Sequence, residues 1–151
     1  MKNINTSFAK NRYLKLSELG SQLNLSFSSH LVLRERIIAL DGIRKILLVS
    51  STDNEMNNTH LIELSKVTAV SVKKTYSSIK AGELKKRRVE DFLKRIDLQF
   101  ECIGEDKTIV LPFYEFEKDD LRDLQKLERN ANNWHLILTK MLSMQNSFAL
   151  N

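Results

Sequence analysis

The basic residues between Lys66 and Arg95 are the groups in this chain best suited to chemistry, and that chemistry is the recognition of negative charge. Ten lysines and arginines stand there against three acids, so the segment carries +7; the 151-residue chain carries +5 and the remainder −2. Lys85-Lys86-Arg87-Arg88 is the densest part, preceded by Lys80 and by Lys73-Lys74. Ammonium and guanidinium groups attract phosphate and carboxylate. Binding to nucleic acid or an anionic lipid surface through such groups releases counterions and is salt-dependent. Aromatic side chains between the bases would add stacking on single strands. Only Tyr76 and Phe92 are nearby, and Phe92 falls where a core anchor belongs. The candidate binding residues are therefore Lys73, Lys74, Lys80, Lys85, Lys86, Arg87 and Arg88. The plainer reading is that their charges simply solvate a loop or short helix.

Other chemistries find little support. Cys102 is the single cysteine, so no internal disulfide forms and nothing points to an oxidising compartment. It lies in phase with Ile96, Leu98 and Phe100, an inward position where a thiol without a basic neighbour is inert. His30, His60 and His135 lack a second ligand at metal spacing, so no metal is expected. There is no glycine-rich phosphate loop and no serine in a glycine elbow. Asp119-Asp120 and Glu90-Asp91 fit helix starts or solvated surface. The expectation is a protein that is not an enzyme and needs no cofactor.

These residues must be positioned by a scaffold that is mostly strand. Hydrophobic residues make up 42% and charged residues 28%, ordinary values for a folded domain. The expected organisation is a polar arm over residues 1–12, one domain over 13–144 and a tail over 145–151. No run of about 18 apolar residues is present, nor a signal-peptide core in Met1–Arg12, so a cytoplasmic protein is the default expectation.

The clearest pattern is Lys94–Glu115. Ile96, Leu98, Phe100 and Cys102 alternate with Asp97, Gln99 and Glu101, Gly104–Lys107 supplies turn chemistry, and Ile109, Leu111 and Phe113 resume the alternation. A period of two with an intervening turn predicts a β-hairpin with one dry face. Upstream, strands are predicted at Leu14–Ser17, Leu23–Phe27, along His30–Leu40, over Ile43–Ser50, at Leu61–Leu64 and over Val67–Tyr76. Asp41-Gly42 reads as a two-residue turn in which both residues take positive φ. Thr52–Thr59 reads as a polar loop. Glu83–Lys94 fits a short helix through Leu84, Arg88 and Phe92, or a mobile charged loop. Leu121, Leu124, Leu127, Ala131, Trp134, Leu138 and Met141 recur at three- and four-residue steps, predicting an amphipathic helix from about Asp119 to Met144.

About seven antiparallel strands closed by a C-terminal helix with a buried tryptophan resemble a pleckstrin-homology (PH)-like domain, of the kind found in small bacterial proteins. The hairpin Ile96–Glu115 and the segment Asn132–Leu138 (NNWHLIL) carry the resemblance, which spans about Leu23 to Leu142. It implies a mainly β, α+β fold: an antiparallel barrel or sandwich capped by the helix. It also implies an adaptor that binds phosphoinositides, peptides or protein surfaces. Phosphoinositide-binding members carry a lysine on the first strand and a basic-x-Arg on the second. Arg34-Glu35-Arg36 matches the second half, but the strand before it has no lysine. Protein partners are accordingly the first expectation. Nucleic acid or anionic lipid, met through the basic 73–95 segment, is the alternative.

Overall fold

A computed structural model describes residues 14–33, 36–51, 58–104 and 108–149. The expected arm 1–12, residues 34 and 35 of the Arg34-Glu35-Arg36 match, most of the 52–59 loop and residues 105–107 of the last hairpin turn lie outside them. The fold is mainly β, with two antiparallel sheets and a C-terminal helix. The chain divides into two compact units, Met1–Ser65 and Lys66–Asn151.

In the first unit, residues 14–23 are helical (α1), where strands were expected at Leu14–Ser17 and from Leu23. Ten residues with four leucines fit either period; the helix wins because it has a stop signal. Asn24 takes the left-handed conformation at φ 56°. The N–H groups of Leu25 and Asn24 then reach back to the carbonyls of Gly20 (2.8 Å) and Ser21 (3.3 Å), the paired bonds of a Schellman terminus. Leu25 and Phe27 follow in irregular chain and pack, with Leu16 and Leu19, against Ile37, Ala39 and Leu48.

The sheet of this unit is a meander of β1 (Ser29–Val32), β2 (Arg36–Asp41), β3 (Ile46–Ser51) and β4 (Asn58–Glu63). The His30–Leu40 run is thus a hairpin rather than one strand. Leu33 N–H donates to the Arg36 carbonyl at 2.7 Å across its turn. Ile37, Ile38, Ala39 and Leu40 are all buried. A continuous apolar run of this kind is what a strand covered on both faces requires.

The β2–β3 connection also departs from expectation. It is a four-residue turn, 42–45, and the positive φ falls on Lys45 (58°) rather than on Asp41 or Gly42. Asp41 shapes the turn through its carboxylate. Oδ1 accepts from the N–H groups of Ile43 (3.0 Å) and Arg44 (2.9 Å), and Oδ2 from Ser26 (2.9 Å). The side chain is 1% exposed. The Arg44 N–H bond, then those of Ser26 and Ile43, hold its pKa below the usual carboxylate value despite burial.

In the second unit, β5 (Val67–Tyr76), β6 (Leu93–Cys102) and β7 (Thr108–Glu115) form a three-stranded meander. The predicted register is present: Ile96, Leu98 and Phe100 are fully buried in the middle strand. Cys102, in the same phase at the strand end, is only half-buried. Asp97 was expected on the wet face and is buried. A register shift between Ile96 and Asp97 interrupts the ladder to β7 there, and the Arg95 guanidinium lies 3.2 Å from Asp97 Oδ1. Such bulges re-aim side chains.

A 3-10 turn, Leu121–Asp123, leads into α2 (Leu124–Ala149), which packs on this sheet. Asp120 caps the start by accepting the Arg122 N–H at 2.9 Å. Leu124, Ala131, Trp134, Leu138 and Leu142 are buried. Leu127 and Met141 of the predicted stripe are half-buried, Leu142 joins it, and Leu121 is exposed because it precedes the α-helix. The helix also continues through residues read as tail. His135 Nε2 lies 3.0 Å from the Val70 carbonyl, so that nitrogen carries the proton and ties α2 to β5.

Candidate functional site

The seven candidate basic residues do not form one cluster. Lys73 and Lys74 are consecutive in β5 and point to opposite faces. Lys74 donates to Glu128 Oε1 on α2, and that bond, more than the accompanying charge, raises its pKa. It is a strut between strand and helix. Lys73 is exposed and stands opposite Asp97 in the β5–β6 register.

The other five lie in the loop between β5 and β6. Its base is closed where Ser77 N–H donates to the Phe92 carbonyl at 2.7 Å. Gly82, at φ 86°, opens a 3-10 turn over Glu83–Lys85, and a second 3-10 turn follows at Val89–Phe92. The expected single helix over Glu83–Lys94 is absent because the backbone at Arg88 is extended (φ −78°, ψ 152°). Lys85 and Arg88, at i and i+3, would also repel one another on the face of such a helix. Phe92 is buried and anchors the loop, and the Arg87 guanidinium carbon sits 5.9 Å from the centre of its ring.

Two of the loop's acids are engaged internally. Glu83 Oε1 accepts the Lys80 N–H at 3.3 Å and Asp91 Oδ2 accepts the Arg88 N–H at 3.2 Å. Among the described residues no ion pair engages Lys80, Lys85, Lys86 or Arg88, all of them exposed. Ile79, Leu84 (56% exposed) and Val89 stand out between them. The loop therefore presents unpaired positive charge interleaved with aliphatic side chains on a hydrogen-bonded frame.

Beside it at the same end of the sheet is a second feature, which the sequence reading missed. Thr75 pairs with Arg95 and Arg95 with Glu115 across the three strands, and Phe116 N–H donates to the Lys94 carbonyl at 2.9 Å. Thr75, Lys94, Arg95, Glu115, Phe116, Glu117 and Lys118 line a cleft of about 270 Å³. Glu115 faces both Arg95 (3.8 Å) and Lys118 (3.5 Å). Phe116 is 58% exposed and Leu121 59%. The available signal was an aromatic flanked by acids, Glu115-Phe116-Glu117, just after the alternating strand.

Among the described residues no group of three His, Cys, Asp or Glu side chains could hold a metal ion. No helix among them is long and apolar enough to cross a membrane. The chain matches no family model, no curated protein and no solved structure.

Proposed function

We propose that this chain is a cytoplasmic, PH-like, non-catalytic binding module that meets an acidic surface of a protein partner through the loop between β5 and β6. The observation that carries the reading is the state of the loop's charges: Glu83 and Asp91 are engaged by backbone N–H groups while, among the described residues, Lys80, Lys85, Lys86 and Arg88 have no ion-pair partner. Exposed Ile79, Leu84 and Val89 supply apolar area to the same contact. Two antiparallel meanders in succession, of four and of three strands, followed by a helix with Trp134 buried support the PH-like assignment.

Phosphate groups of nucleic acid or of an anionic lipid surface form a second reading, which draws on the same unpaired bases. The exposed apolar side chains between the loop's bases, Ile79, Leu84 and Val89, are aliphatic and Phe92 is buried, which disfavours stacking of nucleobases within the loop, although exposed Tyr76 and Phe116 flank it. The test is capture of partners from the native host with wild type and with Lys85, Lys86, Arg87 and Arg88 all changed to Ser, alongside titrations with DNA, RNA and anionic vesicles. The module reading expects a protein whose capture is lost in the variant and falls with salt. Salt-sensitive binding to nucleic acid or vesicles, with no such protein, favours the second reading.

A further inference from the structure

The loop stands beside a surface of opposite charge. Residues 79–89 hold five bases and one acid, a net +4, and residues 115–123 hold five acids and two bases, a net −3. The strand pairing places both segments at one end of the β5–β6–β7 sheet, flanking the cleft of about 270 Å³. Both are also apolar at the surface. Tyr76, Ile79, Leu84 and Val89 are exposed on the basic side, and Phe116 and Leu121 on the acidic side.

A positive and a negative half side by side make a self-complementary surface. A two-fold rotation about an axis through the boundary lays each half on its opposite in the second molecule, as an isologous dimer requires. We infer that the acidic surface the loop recognises is the 115–123 turn of a second copy of this chain. This inference rests on the binding-module reading and names its partner. In such a pair Lys85 and Lys86 face Glu117 of the other molecule in both halves. All three are exposed, and none is engaged in an ion pair among the described residues. Ile79 and Leu84 meet Phe116 and Leu121, removing apolar area from water. Asp119 and Asp120, by contrast, are engaged within the chain, accepting the N–H groups of Glu115 and Arg122.

The test is a charge swap on the full chain, followed by sedimentation equilibrium. Wild type is expected to dimerise with a Kd on the order of 10 µM at low salt, typical of an exposed, partly polar contact. Dimerisation should weaken at about 0.5 M salt, where screening acts within a few ångströms. Lys85→Glu/Lys86→Glu in one variant and Glu117→Lys in another each place like charges in both halves, and each should raise Kd about tenfold or more. An equimolar mixture of the two variants restores opposite charges in both halves and should form the heterodimer. Circular dichroism of each variant confirms folding, which these exposed positions should leave unchanged. A wild type that stays monomeric at about 100 µM overturns the inference. So does a dimer indifferent to both variants, or a mixture that stays monomeric. If self-pairing fails while the four-serine loop variant still loses a captured protein, only this inference falls and the binding-module reading stands.

Discussion

The β2–β3 turn and the β5–β6 loop solve one problem in opposite ways. Each uses carboxylates to satisfy backbone N–H groups that no ladder reaches. In the turn, one buried carboxylate accepts three such bonds, from Ser26, Ile43 and Arg44. In the loop, two carboxylates accept one each, from Lys80 and Arg88. The turn is four residues long and organised around a group 1% exposed. The loop is anchored only at its base, by Phe92 and the Ser77–Phe92 bond, and carries its bases outward. A turn that serves the fold internalises its charge. A loop that ties two of its three acids to its own backbone and, among the described residues, leaves Lys80, Lys85, Lys86 and Arg88 without ion pairs is arranged for something outside itself.

Phe92→Ala attacks the loop at its anchor and should have the largest effect. Truncating a buried phenylalanine costs about 3–5 kcal/mol, and for a chain of this length each kcal/mol lowers Tm by about 2–4 °C. A thermal melt checks it. A shift under about 2 °C would mean that the loop is not fastened to the core and that the contrast with the turn is misdrawn.

Asp41→Ala should come next, at about 3 kcal/mol, because three N–H groups lose a charged acceptor in a buried place. Its signature is pH dependence. The folded pKa is lowered, so the carboxylate's stabilisation is fully present above the unfolded value of about 3.9 and is lost as pH falls through the folded value. The Tm gap between wild type and variant should therefore be wide at pH 6 and shrink below about pH 4. A gap independent of pH would show that the side chain acts through packing alone.

Much of the scaffold was legible because long periods average out local ambiguity. The alternation Ile96–Phe100 and the stripe Leu124, Ala131, Trp134 and Leu138 each repeat often enough for one geometry to fit. Residues 14–23 were misread because a short leucine-rich stretch fits both periods and the deciding fact is the φ of Asn24. Asp97 was placed outside because alternation assumes an unbroken ladder, and the register shift at Ile96 breaks it. At the candidate site the bases were visible as charge, but their distribution was not. Counting cannot show that Lys74 is taken up by Glu128 while Lys80, Lys85, Lys86 and Arg88 remain without ion pairs among the described residues. Nor can it show that Phe116 and Glu117 stand beside them, since that proximity is made by strand pairing.

Gly82→Ala sharpens the comparison on the loop's side. At φ 86° an added Cβ meets none of the described residues within 4 Å, so the cost is backbone strain, about 1–2 kcal/mol. An ordered loop transmits that cost to stability and Tm falls by a few degrees. A loop without a fixed conformation would leave Tm unchanged, since the variant could adopt another backbone path.

The smallest effect on stability is expected from changing Lys85, Lys86, Arg87 and Arg88 to Ser, and it separates the two regions most sharply. These side chains are exposed. Surface substitutions of this kind stay within about ±0.5 kcal/mol each, and dispersing four adjacent like charges removes some repulsion. Arg87 is the one with a packed contact, over Phe92, and exposed cation–π pairs contribute about 0.5–1 kcal/mol. The melt should therefore move little, whereas Asp41→Ala, a single change, moves it by several degrees. Binding should respond in the opposite order, surviving any Asp41 variant that remains folded and disappearing with the four bases. The same variant also distinguishes the ligands. Four phosphate contacts would give wild type a slope of log affinity against log salt of about −3 to −4 on duplex DNA. An acidic protein surface gives a shallower dependence, because it holds no condensed counterions to release. Loss of stability without loss of binding would place the loop on the structural side of the comparison, together with the turn.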